Sequence, residues 1–272
     1  MSTTTTTTPT TGGLAGLARR HPVPVFLTIA LGSGWTALTI PNLVGQENGP
    51  FLVLMLVVLA GSALLVTSWT GGPGAVRRLL ARALLWRFEP WRYAVVLLGM
   101  PVATLAVGAA LGTAAVPDDW AAFAGTYLFM TVVFGLLLGN LWEELAWTGF
   151  LQSRFMARHG LLRGSLMTAP WFVAIHVPLS FTPGWTWSSA AFNLALVLLI
   201  APFMRYLLGM HYLDTRGSLL AVGLQHAAFN ASADLGSAGW EYAIGLVVLT
   251  VVMAALRHRP RGPGAPRPRG ER

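Results

Sequence analysis

The sequence predicts an all-α, polytopic membrane protein with about eight transmembrane helices and both termini in the cytoplasm. Of its 272 residues, 54% are hydrophobic and 10% charged, whereas a soluble domain carries about 25% charged residues. Apolar stretches long enough to span a bilayer, about 20 residues each, recur along the whole length. The arginines alternate between connections. They occupy the N-terminal tail (Arg19, Arg20), the second connection (Arg77 to Arg92), the fourth (Arg154 to Arg163), the sixth (Arg205, Arg216) and the C-terminal tail. The connections between these carry none, and cytoplasmic loops are where such charge accumulates.

Composition also restricts the chemistry. All 18 basic residues are arginine, which excludes a Ser/Lys dyad and a Schiff-base lysine. Cysteine is absent, so there is no thiol nucleophile, thiolate metal site or disulfide. Carboxylate, imidazole, amide and hydroxyl chemistry remain. The net charge of +8 sits at span ends, where it sets orientation, and does not imply a nucleic-acid partner.

Residues 1–20 read as a disordered Thr-rich tail with too little apolar surface to fold, and without the basic start of a signal peptide. Residues 21–256 form one transmembrane domain. Its first two spans are 25–44 and 51–69, and Gly71-Gly72-Pro73-Gly74 then breaks the helix. In 75–89, Arg77, Arg78, Arg82 and Arg87 mix with Leu79, Leu80, Leu84, Leu85 and Trp86, as in an amphipathic helix at the membrane surface. The third span is 94–116. A fourth, long helix begins at Trp120 after the acidic turn Pro117-Asp118-Asp119. The later spans are 161–177, 188–210, a short 219–232, and 240–256. Trp120, Trp185, Trp187 and Trp240 fall at the outer ends, as an aromatic belt does. Residues 257–272, rich in Arg, Pro and Gly, read as a second disordered tail.

Five polar residues interrupt the apolar helices. Glu143 and Glu144 are adjacent within the fourth, and an ionised acid in hydrocarbon marks a functional site by default. His176 lies in the fifth span, and His226 with Asn230 in the seventh. At 1.5 Å rise per residue, Glu143 lies roughly 16 Å from Arg154, His176 roughly 20 Å from Arg163, and His226 roughly 15 Å from Arg216. Three helices thus place them in one layer. His226 and Asn230, four apart, share a helical face. Adjacent glutamates diverge by about 100°, so one meets the site while the other bonds a neighbouring helix. Singly, a membrane His or Asn is often interhelical glue, and Trp142, Trp147, Phe150 and Phe172 read as packing around the layer. Ser165 and Ser218 sit at cytoplasmic helix ends and are not read as nucleophiles. The competing class is a catalytically inactive membrane binding or immunity protein, or a small transporter, that keeps the polar cluster.

These residues resemble the CPBP family of intramembrane proteases (CAAX prenyl protease and bacteriocin-processing, or Abi, proteins). The family pattern is Glu-Glu-x-x-x-Arg, Phe-x-x-x-His and His-x-x-x-Asn or Asp on separate helices. Glu143-Glu144, Phe172 with His176, and His226 with Asn230 match it in order and spacing, within about 120–233. One position departs: Thr148 stands where the family has Arg, and Thr supplies no cation. Arg154, three turns along, is the expected partial replacement. The resemblance implies an intramembrane endopeptidase hydrolysing a peptide bond of a membrane-associated protein or peptide, in a bilayer that is expected to be a prokaryotic plasma membrane. Glu143 is then the general base, with His176 holding the water and His226 and Asn230 donating to the oxyanion. His176, His226 and Glu143 also furnish the three protein ligands of a catalytic Zn2+ or similar divalent site. A metal-free glutamate mechanism uses the same residues. There is no His-Glu-x-x-His helix.

Overall fold

The structure is a computed structural model that describes residues 13–257 except 47–48, 116 and 236–238. The chain is an all-α polytopic membrane protein. Its helices are α1 (Leu14–Arg20), α2 (Pro22–Leu43), α3 (Gly49–Ala83), α4 (Pro90–Leu111) and α5 (Trp120–Leu128). The last runs on through a π-helical segment, Phe129–Asn140, a single α-helical turn, α6 (Leu141–Glu144), and a second π-helical segment, Leu145–Gln152. Then come α7 (Ser153–His176), α8 (Trp187–Asp214), α9 (Leu219–Ala231) and α10 (Glu241–Arg257). Among the described residues the only extended pairing is an isolated bridge at Ala114.

Five helical stretches are long and apolar enough to cross a membrane: Pro22–Leu43, Gly49–Ala83, Pro90–Leu111, Trp120–Phe181 and Trp187–Asp214. Two contain a break. Gly72 (φ 69°) interrupts α3 and Gly160 (φ 76°) interrupts α7, both in the left-handed region that glycine reaches without a Cβ penalty. Gly160 therefore divides the longest stretch into two rods. α9 and α10 have 13 and 17 residues, short of the roughly 20 that a full span needs.

Three expectations change at element ends. Leu14–Arg20 is helical, because Gly16 and Ala18 bury against neighbouring helices and Arg19 Nε donates to the Trp69 carbonyl at 3.1 Å. The rest of that tail, and residues 258–272 of the other, lie outside the described residues. α4 stops at Leu111, where Gly112 takes a left-handed C-cap (φ 69°). The surface helix after Gly72 ends at Ala83, leaving Leu84 and Trp86 exposed in a non-helical connection.

α9 is the centre of the bundle. It contacts α4, α6, α8 and the Phe129–Asn140 segment, and residues 221–229 are all buried. A helix apolar around its whole circumference is one enclosed on all sides. Ser218 caps it, accepting from Ala221 N at 3.1 Å, which satisfies an N-terminal donor that would otherwise be unpaired. Small residues let its neighbours close in. A Cβ at Gly223 would lie 2.9 Å from Leu136, and one at Gly135 would lie 2.8 Å from Ala227. This close packing, usual between membrane helices, brings Asn140 against the end of α9.

Candidate active site

The two glutamates diverge. Glu144 is fully buried and points between helices, where three groups saturate it. Arg205 Nη2 of α8 donates to its Oε1 at 2.6 Å, and His226 Nδ1 meets the same oxygen at 2.8 Å. Thr148 Oγ1 donates to Oε2 at 2.5 Å. The cation that Thr148 cannot provide thus comes from α8. Arg205 is itself 0% exposed. Its guanidinium lies 4.8 Å from the centre of the Phe172 ring, and its backbone carbonyl accepts from Gln152 Nε2 at 2.7 Å. Thr148 and Gln152, both on the buried Leu145–Gln152 segment, therefore hold the acid and the helix that carries its cation.

Arg154, expected to replace the missing arginine, does not reach Glu144. Its Nη1 donates to the Phe150 carbonyl at 2.6 Å, and its guanidinium stacks on the Phe150 ring at 3.7 Å. Phe150, one turn before it on the same helix, captures it.

Glu143 faces the other way. Its Oε2 accepts from Asn140 Nδ2 at 3.3 Å and lies 3.9 Å from His226 Nδ1. Its Oε1 has no hydrogen-bond partner among the described residues. Glu143 borders a cavity of about 860 Å³, together with Asn140, His176 and Asn230. His176 and Asn230 also border a smaller cavity of about 230 Å³, with Phe172 and His226. The His176/Asn230 pair is the wall between the two.

Each imidazole is oriented by a fixed bond at Nδ1. That of His176 lies 2.6 Å from the Phe172 carbonyl, so Nδ1 is the donor and Nε2 is left available. That of His226 is held by Glu144, which leaves its Nε2 available in the same way. Phe172 packs against His176 at 4.5 Å and His226 at 5.9 Å between ring centres. Trp147 closes the far side of Phe172 at 6.1 Å, edge to face.

The structure thus brings Glu143, Glu144, His176, His226 and Asn230 together from three segments. Two further residues belong with them and were not singled out in the sequence. Asn140 links Glu143 to Asn230, whose Nδ2 donates to Asn140 Oδ1 at 3.3 Å. It had a readable signal, a polar residue three before Glu143 in an apolar run. Arg205 had none, because it read as an ordinary span-end arginine. Trp142 is not packing around the site: it is 41% exposed and donates to the Leu137 carbonyl at 2.9 Å. Ser165 and Ser218 are structural, bonding Gln152 and the Leu85 carbonyl respectively.

Residues 125–232 match a family model described as type II CAAX prenyl endopeptidase Rce1-like. The match supports the resemblance of this segment to the CPBP (CAAX protease) family. No curated protein matches the chain. The matched segment contains the three motifs and Arg205, and in general terms it supports a CAAX-type intramembrane endopeptidase. Such a protein works within a bilayer, on substrates associated with it.

Among the described residues, no three His, Asp or Glu side chains converge to hold a metal ion. Glu144 is taken up by Arg205 and by Nδ1 of His226, whose Nε2 stays available. His176, His226 and Glu143 thus stand as separate donors in this structure and not as a closed ligand set.

Proposed function

We propose that this chain hydrolyses a peptide bond of a membrane-associated protein or peptide by means of water activated at Glu143. The observation that carries the reading is the division of labour in the acid pair. Glu144 is saturated by Arg205, His226 and Thr148, while Glu143 keeps a carboxylate oxygen free and borders a cavity. A base must reach its water, and Glu143 is the acid of the pair that Arg205 leaves unpaired.

In the proposed reaction, water lies between Glu143 and Nε2 of His176. Glu143 removes its proton as the oxygen attacks the carbonyl carbon. The resulting oxyanion is met by the Asn230 amide and by Nε2 of His226 in its protonated form. Glu144 meets that ring at Nδ1, and Arg205 and Thr148 hold Glu144 in place. Collapse of the tetrahedral species breaks the C–N bond, and Glu143 returns the proton to the leaving amine. Donors aimed at the developing charge in a water-poor cavity act without reorganisation.

The inactive-protein reading rested on Thr148. Arg205 supports the enzyme instead, because it meets the electrostatic requirement that Thr148 leaves open. The proposed setting is a prokaryotic plasma membrane, and the arginine alternation supports cytoplasmic termini. The test is a membrane proteome compared between cells carrying the intact chain and cells carrying Glu143→Gln. Processed fragments present only with the intact chain identify the substrate. Identical proteomes, with both proteins expressed and folded, refute the proposal.

A further inference from the structure

The bend at Gly72 divides α3 into a transmembrane part and a surface helix, and both parts border a cleft of about 450 Å³. Leu64 and Ser68 come from the first, and Pro73, Val76, Arg77 and Leu80 from the second. The walls are apolar, and the polar groups among them are a hydroxyl and a guanidinium. Ser68 lies one turn from Leu64 on the same helical face. Beyond Leu64 that face stays open: an added Cβ at Gly61 would meet nothing within 4 Å, and Val57 is 62% exposed. From Val57 to Ser68 the open face is roughly 16 Å long at 1.5 Å rise. That is about half of a hydrocarbon core of roughly 30 Å.

The charge around the cleft has one sign. α1 and residues 73–83 carry Arg19, Arg20, Arg77, Arg78 and Arg82, with no Asp or Glu. Residues 1–12, which lead into α1, contain no acid either. Arg19 is fixed beside the cleft by its bond to the Trp69 carbonyl. Among the described residues, no carboxylate pairs with Arg77.

We propose that this cleft binds an anionic phospholipid, with its phosphate at Arg77 and Ser68 and one acyl chain along Leu64, Gly61 and Val57. A cation at the mouth of an apolar face suits a ligand in which charge and chain are joined, whereas a free anion would use the mouth alone. Basic pockets beside membrane helices take such head groups. The arginine alternation puts the cleft in the cytoplasmic leaflet, whose surface is anionic. Occupancy also reaches the candidate active site. Leu79 of the surface helix is buried against Gly149, where an added Cβ would lie 2.9 Å from Leu79 Cδ1. A lipid that fixes the surface helix therefore steadies the Leu145–Gln152 segment that holds Glu144. Such binding needs no catalysis, and it stabilises the folded chain by mass action.

For the test, the full chain in neutral detergent is titrated with dioleoyl phosphatidylglycerol, with dioleoyl phosphatidylcholine and with inorganic phosphate. Thermal stability and native mass spectrometry are the readouts. Phosphatidylglycerol is expected to raise the unfolding temperature and to remain bound. Phosphatidylcholine does so less, and the difference shrinks as salt rises. Arg77→Gln is expected to weaken phosphatidylglycerol binding about fivefold, the share of one arginine near an anionic surface. Arg77→Lys keeps the charge and retains most of the binding. Arg158→Gln, at an exposed site on another arginine-bearing connection, leaves binding unchanged. Equal binding of the two lipids overturns the charge selection. An equal gain from inorganic phosphate shows an anion site without a lipid, and an equal loss in Arg158→Gln shows attraction to surface charge in general. Either overturns the proposal, as does an Arg77→Gln variant that binds phosphatidylglycerol as the intact chain does.

Discussion

Arg205 of α8 stands in for a cation that the acid motif itself lacks, reaching Glu144 across 61 positions of sequence at 2.6 Å. Thr148 occupies the motif position and completes the arrangement as a donor to the other carboxylate oxygen. The acid is thus neutralised from a different helix. That couples the position of α8 to the charge state of the pair.

This relationship gives the first prediction. Arg205→Leu leaves Glu144 buried without its cation, and breaking such a pair costs about 3–5 kcal/mol. Thermal stability in detergent falls, and activity falls with it. Adding Thr148→Arg to Arg205→Leu returns a cation to Glu144 from its own helix, and recovers both in part. Failure of the double variant to exceed Arg205→Leu in either measurement would show that Arg205 serves packing alone.

The two glutamates should separate when tested in parallel. Glu143→Gln keeps size and hydrogen bonding but accepts no proton, so cleavage drops by about 10²–10⁴-fold while thermal stability is equal or higher. Glu144→Gln leaves Arg205 without its counterion and loses stability as well as activity. Proportionate activity in a destabilised Glu143→Gln would sink the assignment of the base.

Asn140 should act as a positioning residue. Asn140→Leu removes the donor to Glu143, a bond to a charged group worth about 1.5–3 kcal/mol. The expected result is a fall in kcat of about ten- to a hundredfold with KM little changed. Asn140→Asp, which has no amide donor, should not rescue it. A change confined to KM would place Asn140 in substrate binding instead.

Metal content is checked directly. The geometry supports a glutamate mechanism, so purified protein is expected to cleave at full rate after chelation. Zinc held by His176, His226 and Glu143 would give about one equivalent per chain, from three protein ligands, and would decline in His226→Ala. Finding that equivalent, with activity lost on chelation and restored by zinc, would replace the water step proposed above.

Much of the molecule was readable without coordinates. Apolar length and arginine alternation specify a helical membrane protein, because hydrocarbon accepts backbone only when its hydrogen bonds are internal. The break at Gly72 follows from glycine's conformational range, and the arginine-bearing stretch 154–163 read as a connection. The layer of Glu143, His176 and His226 was legible too, since buried charge is costly enough to be informative wherever it occurs. The divergence of Glu143 from Glu144 followed from helical geometry.

Which acid faced the cavity was a tertiary matter. Helical spacing gives the angle between two side chains, but the neighbours decide which one meets a cation. Arg205 was invisible as a partner for the same reason: it lies far away in sequence and carries a charge that span ends commonly carry. Arg154 was the nearer candidate by sequence, yet Phe150 claimed it. The burial of Leu145–Gln152 and the cavity beside Glu143 also required the packed helices. Burial is a property of what surrounds a residue, and an apolar sequence looks alike whether it faces lipid, protein or an open cleft.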